Sequence, residues 1–179
     1  MSKQIKRISL LAVGIAMFVV LSLCLQVPVF ENYYLCLGYV VMAVYCCSFG
    51  TLSGTIVGFF GVVLYCVVIS GLRGMPGWSL GNIVIGIGLG LAFRVVRPLK
   101  SAVLRTSIEC AVIVAVTAIG ILVVKSETES LLYAQPFLVR VAKNTSAFIA
   151  DCVMLIISLP VCRVLDPYAK KLFPELYAG

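Results

Sequence analysis

Apolar residues come in long runs along this chain, and the polar ones fall between them in short groups. Between Glu31 and Arg73 there is no charged residue at all. A helix that crosses a membrane needs about 20 mostly apolar residues, within a range of about 17–25. By that measure the pattern predicts six spans: Ile8–Leu25, Tyr33–Phe49, Thr51–Ser70, Leu80–Val96, Ser107–Val124 and Ala147–Leu165. The expected fold is an all-α membrane protein, a six-transmembrane-helix bundle forming one integral membrane domain over residues 1–179. Pro28 is expected to break the chain between the first two spans. Ser48-Phe49-Gly50 leaves room only for a tight hairpin between the second and third.

Composition supports the same solvent. Of the 179 residues 62% are hydrophobic and 12% are charged, against about 25% charged in a soluble domain. Mean hydropathy is +1.14. Histidine is absent, which excludes Ser-His and Cys-His catalysis and any His-ligated metal site. Eight cysteines sit within apolar runs without a C-x-x-C pair, so they read as small hydrophobes, with no disulfide or metal site expected. No cofactor is expected either. Lys3, Lys6 and Arg7 before an apolar run resemble a signal peptide, but no A-x-A-like site follows, so the segment reads as an uncleaved first span.

Charge then sets orientation. With the N-terminus in the cytoplasm, the inner side holds ten Lys and Arg: Lys3, Lys6, Arg7, Arg94, Arg97, Lys100, Arg105, Arg163, Lys170 and Lys171. The outer side holds four: Arg73, Lys125, Arg140 and Lys143. That bias satisfies the positive-inside rule and puts both termini in the cytoplasm. The net charge of +7 follows from topology, and no nucleic-acid partner is implied. Residues 26–32, 71–79 and 125–146 become outer connections, the last long enough to lie in the interface or fold over the outer mouth.

The polar residues inside or beside spans are the candidates for chemistry. Arg73-Gly-Met-Pro-Gly-Trp78-Ser-Leu-Gly-Asn82 interrupts the apolar pattern just before the fourth span. Irregular backbone at membrane depth is tolerated where it lines a cavity. Asn82 lies about a turn inside the helix and needs a partner, either another helix or a ligand. Trp78 reads equally as an interfacial anchor or as a ligand contact. Asp151 is the sharpest residue: an ionisable group within a span marks a functional site by default. Its expected partners are Arg73, Lys143 or Asn82, in a helix-joining contact or at a ligand. Glu109 is close enough to Arg105 for a local salt bridge. In the first span Ala12 and Ala16 share one helix face and permit close approach of another helix, within the bundle or outside it. Gly50, Gly54, Gly58 and Gly61 read as packing against the second span. There is no phosphate-binding G-x-x-x-x-G-K-[ST] loop and no activated G-x-S-x-G serine, so no enzyme is expected.

These residues give the chain a resemblance to the substrate-binding S components of energy-coupling factor (ECF) vitamin transporters, in particular the riboflavin-transporter-like group. It covers essentially the whole chain. Ala12-x-x-x-Ala16 looks like that family's docking motif, and Pro76-Gly77-Trp78-Ser79-Leu80-Gly81-Asn82 looks like the entry to its fourth span. The resemblance implies a subunit of an ATP-driven importer in a bacterial cell membrane. Such a subunit captures a vitamin at the outer face and docks on one transmembrane coupling subunit and two ATP-binding subunits. It implies ligand binding by Arg73, Trp78, Asn82, Lys143 and Asp151, and partner docking through Ala12 and Ala16. The basic rim favours an acid-bearing vitamin such as pantothenate, and the aromatic residues leave riboflavin open. The competing expectation is a structural membrane scaffold resembling the rod-shape protein MreD, in which Arg73, Asn82 and Asp151 would serve packing alone.

Overall fold

A computed structural model describes residues 3–24, 27–30, 33–69 and 75–177, with backbone only at 27–30, 33 and 34. In chain order come α1 (Lys3–Cys24), the antiparallel strands β1 (Val27–Phe30) and β2 (Tyr33–Leu35), α2 (Gly38–Phe49), α3 (Thr51–Val68) and α4 (Met75–Val96). Then follow α5 (Ala102–Thr117), a π-helical segment (Ala118–Lys125), α6 (Ser126–Tyr133) and α7 (Phe137–Leu172). Among the described residues five helical stretches are long and apolar enough to cross a membrane, and α2 is a shorter apolar helix of 12 residues.

Three expectations are corrected. The stretch 33–49 is not one span, because its first residues pair with β1 in a small hairpin that also takes up Pro28. Val, Phe and Tyr cluster there, and such residues suit a strand as well as a helix. The connection 125–146 is not a loop. Helix runs without interruption over Ala102–Tyr133, and α7 begins at Phe137. Polar Ser126-Glu-Thr-Glu-Ser130 marks where the chain leaves the apolar layer, not where it leaves the helix. Ala134, in the left-handed region at φ 49°, makes the turn, and Pro136 precedes α7. At 1.5 Å per residue the 36-residue α7 is ~54 Å long, well beyond the ~30 Å hydrocarbon core. The fourth helix likewise starts earlier than expected, at Met75.

Helix α2 is the centre of the bundle, with Tyr39, Met42, Ala43 and Cys46 buried. Gly50, at φ 88°, is the single-residue turn into α3, a conformation that a side chain would strain. Close approach of α3 to α2 follows the expected glycine stripe. Gly54 lies against Cys46 and Gly58 against Met42, whereas Gly61 meets Phe18 of α1. In α1 the buried residues are Gly14, Phe18 and Ser22, spaced by four along one face. Ala12 and Ala16 are offset from that stripe by two residues and are exposed.

The two ends of the bundle differ in character. One carries the hairpin, the start of α4 and the α6–α7 turn. The other carries both chain ends, where Lys6 Nζ lies 2.9 Å from Glu175. The Lys6 hydrogen bond and charge hold the Glu175 carboxyl below its usual range, so this contact persists through that range and is lost only as pH falls through the lowered value. At the same end Arg97 donates to both oxygens of Asp166, at 3.1 and 3.2 Å, and Tyr177 Oη donates to Asp166 at 2.8 Å. Glu109 pairs with Arg105 as expected, at 2.9 Å, and also with Arg163 of α7 at 2.9 Å.

Candidate functional site

At the hairpin end, polar groups from three elements, α2, α4 and α7, meet at one hydroxyl. Tyr39 sits in the first turn of α2, fully buried, with Phe18 edge-on at 6.3 Å. Its Oη donates towards Asn82 Oδ1 of α4 at 2.9 Å and towards Asp151 Oδ2 of α7 at 2.9 Å. Trp78, one turn before Asn82, donates from Nε1 to the same oxygen at 2.8 Å. Asn82 Nδ2 donates to the Gly58 carbonyl of α3 at 3.1 Å.

A phenol has one proton, and here two oxygens stand at equal distance from it. Tyr39 can serve only one of them fully, so the other keeps acceptor capacity. Among buried groups that is an invitation to a donor from elsewhere. Asn82 is fully buried and Asp151 nearly so, and neither faces lipid.

Cationic charge reaches the cluster from the π-helical segment. Lys125, buried at its end, places Nζ 5.9 Å from the centre of the Trp78 ring and is close enough to Asp151 for their charges to attract. A π turn holds more residues than an α turn and so changes which side chains face inward. Ser126 Oγ donates to the Ile121 carbonyl at 3.2 Å, five residues back, and closes the wide turn. Gly81 and Gly120 let α4 and the π-helical segment touch backbone to backbone. A Cβ on Gly81 would stand 2.6 Å from the Gly120 carbonyl oxygen.

A second layer lies beyond, towards the end of the bundle. Asn144 of α7 donates to Ser126 Oγ and to Glu129 Oε2, each at 3.0 Å. Arg140 stands 3.6 Å from Glu129 and 4.5 Å from the Tyr133 ring centre. This layer ties α6 to α7 directly over the Trp78–Asp151 cluster.

Of the residues singled out from sequence, Trp78, Asn82 and Asp151 come together. Trp78 points into the bundle, edge-on to Tyr65 at 5.7 Å, rather than standing as an interfacial anchor. Asp151 finds Tyr39 and, through it, Asn82. Lys143 is exposed on α7 and takes no part in these contacts, while its neighbour Asn144 turns inward. Arg73 lies outside the described residues. Ala12 and Ala16 make none of the cluster's contacts and lie on the open face of α1 with Val13, Met17 and Val20. Sequence reasoning missed Tyr39 and Lys125. Tyr39 is one tyrosine among eight in an apolar run, and Lys125 reads as the end of a span.

Comparison with known proteins bears on the family and the fold. Residues 2–166 match the family model described as ECF-type riboflavin transporter, S component. In overall fold the chain is similar to the crystal structure of the S-component for biotin from an ECF-type ABC transporter. The TM-score is 0.64 at 17% identity, over 92% of this chain and 94% of that one.

Proposed function

The chain belongs to the ECF-type riboflavin transporter S-component family, and from that membership we propose that it is the vitamin-capturing subunit of an ATP-driven importer. The family consists of transport subunits, not enzymes. The proposed ligand site is the cluster of Tyr39, Trp78, Asn82 and Asp151 with Lys125 beside it. The observation that carries it is the single Tyr39 proton facing two buried oxygens. A ring amide or ureido N–H would supply the missing donor, and the Trp78 ring offers a flat surface. Lys125 suits a carbonyl or an acidic group, the pairing that the sequence reading gave to Arg73 and Lys143. Lys143, exposed on α7, is then a cation of the rim.

In the proposed topology the hairpin end faces outward and the end with both termini faces the cytoplasm, where the excess of Lys and Arg belongs. A scaffold like MreD has no need for such a buried polar cluster, and the family membership favours the transport reading. The test is direct. Purified protein is expected to retain one vitamin per chain, identified by mass spectrometry, and to bind it in the nanomolar to micromolar range. A panel of vitamins, riboflavin, biotin and pantothenate among them, in which none raises the melting temperature would sink the proposal.

The exposed face of α1 is the proposed docking surface for the coupling subunit, with Ala12 and Ala16 as the point of closest approach. Replacing Ala16 with Leu is expected to cut vitamin uptake by cells several-fold. Affinity of the isolated subunit for the vitamin should not change, because Ala16 faces away from the bundle. Parallel loss of both would assign Ala16 to folding instead.

A further inference from the structure

A cavity of about 480 Å³ opens at the end opposite the ligand cluster, between α1, the α2–α3 turn and the end of α4. Its volume is in the range of small-molecule sites, about 300–1,000 Å³. Three arginines line it, Arg7 of α1 with Arg94 and Arg97 of α4, and none of its lining residues is acidic. Arg97 is engaged by Asp166. Arg7 and Arg94 form no ion pair or hydrogen bond with any described residue. Glu175, which shares a smaller cavity with Arg7, is itself paired with Lys6. Among the described residues, two positive charges therefore converge on this space without a counter-ion.

The start of α3 adds donors to the same wall. Gly50, Thr51 and Leu52 line the cavity, and α3 has no side-chain cap. Its first intrahelical bond runs from Gly54 to Gly50, which leaves the amides of Thr51, Leu52 and Ser53 without an acceptor in their own helix. Beside the opening the surface is apolar and exposed, at Leu52, Leu91 and Val95. Cationic walls over an apolar flank match an anionic head carried on hydrocarbon chains.

We infer that the Arg7–Arg94–Arg97 cavity holds the phosphate of an anionic phospholipid, with the acyl chains lying along α3 and α4. A phosphodiester carries one negative charge and accepts several hydrogen bonds, which two unpaired guanidiniums and the open amides of α3 provide. The site is separate from the vitamin cluster, and its existence does not depend on which vitamin is bound.

The test uses the full chain in nanodiscs of phosphatidylcholine mixed with phosphatidylglycerol, followed by native mass spectrometry. Phosphatidylglycerol is expected to stay bound preferentially, and retention should fall about fivefold for each arginine removed in Arg7→Gln and Arg94→Gln. Both residues are exposed and unpaired, so these variants are expected to fold. Lys100→Gln, a charge loss at the same end outside the cavity, should leave retention unchanged. Equal retention of the two lipids, or retention indifferent to both arginine variants, overturns the inference. So does inorganic phosphate raising the melting temperature as much as the lipid does, which would make this a site for free anions. If the double variant keeps its lipid but no longer co-purifies with the ATP-binding module, the cavity is a protein-docking surface and the lipid assignment falls.

Discussion

Tyr39→Phe is expected to weaken vitamin binding by about 5- to 150-fold, because leaving buried polar groups unsatisfied costs about 1–3 kcal/mol and each 1.36 kcal/mol is tenfold. The substitution keeps the ring against Phe18 and removes one atom. That atom receives the Trp78 N–H and faces both Asn82 and Asp151. Without it the Asn82 and Asp151 oxygens lose their shared donor, the indole N–H loses its acceptor, and the oxygens no longer hold fixed positions for a ligand. Titration calorimetry on the purified subunit checks the affinity, and thermal melting without vitamin separates binding from folding. A fall in melting temperature with affinity intact would make the hydroxyl a purely structural joint. A double-mutant cycle with Trp78→Phe should show non-additivity, since both changes remove the same hydrogen bond.

The second large effect is expected from Gly81→Val. Its Cβ would meet the Gly120 carbonyl oxygen at 2.6 Å, and the converse contact, from Gly120 to the Gly81 oxygen, is 2.8 Å. Backbone cannot swing aside as a side chain does, so α4 and the π-helical segment must separate. Over-packing of this kind costs about 1–3 kcal/mol and occasionally more. The separation falls between Asn82 and Trp78 on one element and Lys125 on the other. Affinity is therefore expected to drop at least as far as in Tyr39→Phe, together with the melting temperature. Leu80→Ala, next in sequence but exposed, should leave both nearly unchanged. Wild-type affinity in Gly81→Val would mean that this contact does not position the site.

Apolar runs made the spanning helices legible from sequence, because length and hydropathy are all that a bilayer requires. The α2–α3 turn and the glycine stripe were legible for the same reason, since small residues at helical spacing permit close approach. What the sequence hid is of two kinds. Polar Ser126–Ser130 looked like a connection, yet helix formation there depends on contacts such as Asn144 with Ser126 and Glu129, brought together only by the fold. Tyr39 and Lys125 were hidden because their roles lie in direction. A tyrosine in an apolar run carries no sign of where its hydroxyl points, and a π turn has no composition of its own. Asp151 was legible as an oddity, but its partner was not, being 112 positions away. The Arg105–Glu109 pair could be read from its spacing, while the contribution of Arg163 could not.

One helix links the two ends of the molecule. Asp151 and Asp166 both belong to α7, separated along its axis by ~22 Å at the usual rise. One meets the ligand cluster, and the other is clasped by Arg97 and Tyr177 at the end where both termini gather. Between them stands Pro160, which cannot donate its backbone bond to the preceding turn. A rod with such a joint is stiff to push and soft to bend. Any displacement of Asp151 along the axis would therefore reach Asp166, whereas a sideways one would be taken up at the joint.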